Sequence, residues 1–125
     1  MSLGRVLVVD DDPRVMGILR DMLQHFGYEV SSAASAEEAF AAMVDVRGRV
    51  VFLDLQLPGI SGLEALAYFR EHYPTVPVIV VTGNIEHEMA HQARDRGAFE
   101  VIGKPFSLTA LKDLLERAMN LAPPQ

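Results

Sequence analysis

Four carboxylates, a hydroxyl and an ammonium stand at the ends of apolar runs in this chain. Arg5-Val6-Leu7-Val8-Val9 leads into Asp10, Asp11 and Asp12. Val50-Val51-Phe52-Leu53 leads into Asp54, and Val78-Ile79-Val80-Val81 into Thr82. The short segment Phe99 to Ile102 leads through Gly103 to Lys104. An unbroken apolar run reads as a strand buried on both faces of a parallel sheet. The carboxyl ends of such strands are where open α/β sheets bind ligands. Aspartates gathered there repel: two unit charges about 4 Å apart cost about 4 kcal/mol at an effective dielectric near 20. A hard divalent cation relieves that repulsion. Oxygen-only ligands in a chain without cysteine point to Mg²⁺. Such a rim suits phosphoryl transfer, where catalysis is positioning plus neutralisation of charge on the transferring oxygens. Lys104, Thr82 and the cation would each meet one of those oxygens. A carboxylate can itself be the nucleophile and become an aspartyl-phosphate.

The segments between these runs supply the positioning elements. Asp12-Pro13 reads as N-cap and first helical residue. A helix follows to about Phe26, with Val15, Ile18, Leu19, Met22, Leu23 and Phe26 inward, and Gly27 ends it. Tyr28 to Ala33 alternates apolar with polar or small residues, as a half-exposed edge strand does. Ser35 with Glu38, and Ser61 with Glu64, are capping boxes. The first opens a helix with Ala39, Phe40, Met43 and Val44 inward; the second opens one with Leu63, Leu66 and Phe69 inward. Pro58-Gly59 turns the chain after Asp54. A helix from about Ile85 to Arg96 has a thin apolar stripe of Ile85, Met89, Ala90 and Ala93, so it is expected to be the most mobile. Ser107 caps a last helix with Leu108, Leu111, Leu114, Leu115 and Ala118 inward. Five strands alternating with five helices make a doubly wound, flavodoxin-like α/β fold with one parallel sheet. Burial and right-handed crossovers favour strand order 2-1-3-4-5. Asp10, Asp11 and Asp54 then meet where the winding direction switches, with Thr82 and Lys104 on the same rim.

Bulk properties narrow the function classes. The chain has 125 residues, half of them apolar, which suits one domain with a substantial core. It divides into a domain over 1–121 and a tail or linker start over 122–125. No cysteine is present, so disulfides and thiolate metal sites are excluded. No apolar run reaches the ~20 residues of a membrane span, and no signal peptide is visible. Seventeen acidic against eleven basic residues argue against nucleic-acid binding by this domain.

In order along the chain, VLVVDDDP, Asp54 within FLDLQLPGISG, VVTGN and GKPF resemble the response-regulator receiver domain of two-component signalling, from Val6 to about Met119. The resemblance implies a cytoplasmic switch that accepts a phosphoryl group on Asp54 from a sensor histidine kinase or phosphotransfer protein, and that hydrolyses its own aspartyl-phosphate. It implies Mg²⁺ held by Asp11, Asp54 and the backbone carbonyl of Gln56, with Asp10 acting mainly through water. Thr82 and Lys104 would bind the phosphoryl group, and Lys104-Pro105 would be a cis peptide. Gln56 and Asn84 would tune the lifetime. The face formed by helix 4, strand 5 and helix 5 would meet an output domain or a downstream protein, and phosphorylation-dependent dimerisation is a further expectation. The chain departs from the family at Val101, where the position three before the lysine is usually aromatic. Val101 is stiff at χ1 and too short to swing between two burial states. The switch is then expected to run through Thr82-Gly83-Asn84.

Three alternatives compete with this reading, and one further motif is weighed beside them. A flavodoxin-like cofactor binder would need a Ser/Thr/Gly-rich phosphate loop where three aspartates stand. An aspartyl-phosphate phosphatase wants a carboxylate at the Gln56 position. A degenerate receiver acting only as a protein-binding module conflicts with the complete set of Asp10, Asp11, Asp54, Thr82 and Lys104. His87 and His91, at metal-ligand spacing, lack a third ligand and read as an exposed helix face.

Overall fold

The computed structural model describes residues 3–45, 50–83, 88–104 and 106–121. The elements follow in strict alternation: β1 (Arg5–Val9), α1 (Pro13–His25), β2 (Glu29–Ala33), α2 (Ala36–Asp45), β3 (Val50–Asp54), α3 (Gly62–His72), β4 (Val78–Thr82), α4 (Glu88–Asp95), β5 (Glu100–Gly103) and α5 (Leu108–Leu121). The strands are all parallel, in the expected order β2-β1-β3-β4-β5. In-register pairs include Val9 with Leu53, Asp54 with Val81, and Thr82 with Gly103.

Strand period 2 divides the apolar residues between two layers. Val6, Val8, Phe52, Ile79 and Val81 pack under α1 and α5, against Leu19, Leu23, Leu111 and Leu115. Leu7, Val9, Val51, Leu53 and Val80 pack under α2, α3 and α4, against Ala39, Met43, Leu66, Phe69 and Ala93. β3 and β4 are buried along their whole length, as continuous apolar runs require. β2, with exposed Glu29 and Ser32, lies at the edge.

The caps form as read. Asp12 Oδ1 accepts the Arg14 N–H at 2.9 Å, ahead of Pro13. Ser35 accepts the Glu38 N–H at 3.2 Å, Ser61 the Glu64 N–H at 3.2 Å, and Ser107 the Ala110 N–H at 3.0 Å. Gly27, at φ 99°, leads the chain out of α1.

Some expectations shift. Ile18, Val44 and Leu108, read as inward, are 60%, 68% and 54% exposed. At about 100° per residue, Ile18 and Val44 fall off the edge of stripes centred on Leu19/Leu23 and Ala39/Met43. Leu108 opens α5, one turn ahead of the first buried residue, Leu111. Met16, not assigned to the core from sequence, is buried beside Leu19. β2 begins at Glu29 rather than Tyr28, and β5 spans Glu100–Gly103 rather than 99–102. The described part of α4 spans Glu88–Asp95 and buries only Ala90 and Ala93, which agrees with its thin stripe. Ile85 and His87 lie outside the described residues, while His91 is exposed.

Candidate functional site

Each site residue is delivered by the end of a buried strand. Asp10 follows β1, and its N–H donates to Ala33 O at 3.0 Å, which fixes it against β2. Its side chain is 3% exposed. Oδ1 accepts the Asp12 N–H at 2.9 Å, and Oδ2 lies 3.4 Å from Lys104 Nζ. Both oxygens of Asp10 are therefore already engaged. Asp54 ends β3. Its Oδ1 accepts the Gln56 N–H at 3.0 Å, and its Oδ2 lies 3.7 Å from Lys104 Nζ. Asp11 is exposed, and one oxygen from each of Asp10, Asp11 and Asp54 falls within a 4.8 Å group. Thr82 is buried at the end of β4, and its carbonyl accepts the Lys104 N–H at 2.8 Å. That bond ties the lysine to the neighbouring strand, so its ammonium reaches back between Asp10 and Asp54.

Electrostatically the rim is unbalanced: three carboxylates face one ammonium among the described residues. Burial pushes the Asp54 carboxyl above the ordinary aspartate range. The Gln56 N–H opposes that shift, Asp10 adds to it, Lys104 opposes it and Asp11 adds to it. Asp12 goes the other way, held below the usual range by the Arg14 N–H, as a capping carboxylate should be. A hard cation fits this donor set, because all the side-chain donors are carboxylate oxygens and negative charge is in excess.

An open cleft of about 700 Å³ lies over the rim. Of the expected residues Asp10, Asp11, Asp54, Gln56 and Lys104 line it and Thr82 does not; Asp12, Leu55, Leu57, Pro58, Ser61 and Met89 complete the lining. Sequence reasoning missed these as site residues, because Ser61 already had a role as a cap and Met89 as helix core. Gln56 is exposed at the cleft. Gly83 leaves open space where a side chain would stand. Val101 is buried in the layer beneath α2, α3 and α4. Asn84 and Pro105, and with Pro105 the expected cis peptide, lie outside the described residues.

Like-charge crowding makes a measurable forecast. In chelator, Asp11→Asn should raise the melting temperature while weakening divalent-cation binding. Asp11 is exposed, so the relief is the screened value of about 1 kcal/mol rather than the buried one. An unchanged or lower melting temperature in chelator would count against repulsion at this rim.

Residues 6–116 match the family model of the response regulator receiver domain. The nitrogen assimilation regulatory protein NtrX of Azorhizobium caulinodans is 36% identical over 117 residues, which are 92% of this chain and 26% of that protein. The chain thus spans about a quarter of the length of the curated relatives it matches. The receiver domain of NtrX from Brucella abortus superposes with a TM-score of 0.87 at 36% identity, over 92% of this chain and 98% of that one. The receiver domain of sensor histidine kinase PA1611 from Pseudomonas aeruginosa PAO1, solved with a magnesium ion in its active site cleft, gives 0.86 at 25% identity, over 94% and 98%. With the sheet order, the rim of acidic residues and lysine, and these likenesses in agreement, the chain belongs to the receiver domain family of two-component response regulators.

Proposed function

We propose that this receiver is a phosphorylation switch with Asp54 as its phosphoacceptor. The observation that carries the reading is the buried Asp54 carboxylate, oriented by the Gln56 N–H at 3.0 Å and faced by Lys104. One Asp54 oxygen attacks the phosphorus of a phosphohistidine on a sensor kinase or phosphotransfer protein. The O–P bond forms and the P–N bond breaks. The imidazole leaves with the electron pair and is neutral once it has one N–H. Hydrolysis by water later returns Asp54 and inorganic phosphate.

Asp11, Asp54 and the Gln56 carbonyl would hold Mg²⁺, with Asp10 reached through water. Mg²⁺ would supply neutralisation of charge on the phosphoryl oxygens. Lys104 and the Thr82 hydroxyl would meet the remaining oxygens, and Gln56 and Asn84 would set the lifetime. The domain is taken as 1–121 with a tail over 122–125. A cytoplasmic location is part of the reading; no described helix is long and apolar enough to cross a membrane. The face of α4, β5 and α5 would contact an output domain, a downstream protein or a second phosphorylated copy.

Incubation with acetyl phosphate and Mg²⁺ tests the reading. One phosphoryl group per chain is expected, blocked by chelator and released by hydroxylamine, as an acyl phosphate is. No incorporation from acetyl phosphate or a phosphohistidine donor would leave the degenerate, protein-binding receiver as the better reading.

The switch itself can be tested at two positions. A ligand shifts an equilibrium only by its differential contacts with the two states, and here those contacts are Thr82 and Lys104. Val101 is packed in the core and cannot alternate between two burial states. Amide shifts with and without beryllofluoride should show the α4 response intact in Val101→Ala and blunted in Thr82→Ala. The reverse pattern would overturn this route.

A further inference from the structure

Gly62 opens α3, one residue after its Ser61 N-cap. It is not among the glycines with positive φ, so the backbone there would accept any L-residue. Space is the restriction. A Cβ at this position would lie 2.4 Å from Leu55 Cα, 2.6 Å from Leu55 O and 2.7 Å from Asp54 O. All three are backbone atoms, none of which can rotate away. Gly62 also donates its N–H to Leu55 O at 3.2 Å. The start of α3 therefore sits directly on the peptide that follows Asp54.

We propose that Gly62 is a positioning residue for the phosphoryl-transfer site: its missing side chain lets α3 clamp the end of β3, and the clamp holds the Gln56 N–H on Asp54 Oδ1. The proposal rests on Asp54 being the acceptor. Which part would yield to an added Cβ follows from burial. α3 is anchored by Leu63, Ala65, Leu66 and Phe69, all buried. The end of β3 is held by the Leu55 N–H to Val81 O at 3.3 Å, between buried layers. The segment from Gln56 to Ser61 is the softer partner, since Gln56, Pro58 and Gly59 are exposed. Its first residue carries the N–H that orients Asp54. An added methyl is thus relieved by tilting the Leu55–Gln56 peptide, whose oxygen the methyl meets and whose N–H orients Asp54, and the Asp54 carboxylate loses the donor that fixes its rotamer. Misplacement of a reacting group by about 1 Å costs on the order of 100-fold in rate.

The test separates position from stability. Gly17 lies inside α1, where a Cβ would meet nothing within 4 Å, so Gly17→Ala stabilises the fold without approaching the site. Gly62→Ala is made in that background and compared with Gly17→Ala alone. Two measurements follow: the proton shift and solvent exchange of the Gln56 amide without phosphodonor, and the acetyl phosphate dependence of phosphorylation in Mg²⁺. The expected result is a folded chain whose Gln56 amide moves upfield and exchanges on the order of tenfold faster. Its maximal phosphorylation rate falls by roughly 10- to 100-fold, with half-saturation by the donor little changed. A folded variant with an unaltered Gln56 amide and rate overturns the proposal. So does a variant that stays unfolded even in the cold, since Gly62 would then serve the fold rather than the carboxylate. If the parent chain takes no phosphoryl group, the reading of Asp54 as acceptor fails, while the amide measurement still decides whether Gly62 sets the loop.

Discussion

Asp54→Asn takes up no phosphoryl group from acetyl phosphate in Mg²⁺, and in chelator its stability falls less with rising pH than that of the parent chain. The first half follows from chemistry: a carboxamide oxygen is too weak a nucleophile to displace a phosphoryl group. Asp10 and Asp11 are given to the cation rather than to the phosphoryl group, so neither is expected to substitute. Full labelling of the variant would sink the assignment. The second half follows from linkage. Burial raises the Asp54 carboxyl above its unfolded value, so the folded state holds a proton that the unfolded state has released. The stability contributed is complete below the unfolded pKa and is lost as pH rises through the folded one. Asparagine has nothing to titrate. Urea unfolding in chelator, from the acid range towards neutrality, should therefore show a smaller loss for the variant. A variant whose stability falls with pH as much as the parent's would contradict the direction given for Asp54.

Lys104→Met is expected to give the largest loss of stability at the site. The ammonium lies 3.4 Å from Asp10 Oδ2 and 3.7 Å from Asp54 Oδ2. Removing it leaves two buried carboxylates facing each other with no counter-charge. Breaking a fully buried pair costs roughly 3–5 kcal/mol. Lys104 is 28% exposed and its contacts are long, so about 2 kcal/mol in chelator at neutral pH is the expected loss. Because the penalty is one of charge, it should shrink when Asp54 is protonated and when Mg²⁺ is added. Mg²⁺ affinity should stay at or above that of the parent chain, since the variant removes a cation rather than a ligand. Calorimetry would decide, and a collapse of Mg²⁺ affinity would mean the lysine has been misplaced. The beryllofluoride response should meanwhile be lost, because Lys104 is one of the two side chains assigned to reading the phosphoryl oxygens.

The alternation of runs made the architecture legible in the sequence. A four- or five-residue apolar stretch can be buried on both faces only inside a sheet, and capped helices between such stretches force parallel pairing. The edge place of β2 was legible from its alternation, and the central place of β1, β3 and β4 from their lack of it. Aspartates at the ends of two neighbouring central strands, with Thr82 and Lys104 on the next two, marked the rim. These readings rest on local rules, so short stretches of chain carry them.

Long-range geometry decided the rest. Helix faces are set by which neighbour each stripe meets, so Ile18 and Val44 could not be placed from period alone and lie exposed. The unequal surroundings of adjacent Asp10 and Asp11 appear only when Lys104, 94 residues later, reaches Asp10. The direction of the Asp54 shift depends on burial set by the whole sheet. In the sequence Gly62 was only the last residue of FLDLQLPGISG; the closeness of Leu55 Cα shows what its hydrogen makes room for. Strand, turn and cap were written in neighbouring residues, because backbone sterics and hydrogen bonding act over a few positions. Which carboxylate is sheltered, which is exposed and which glycine has no room for a side chain came from close packing, which brings together residues distant along the chain.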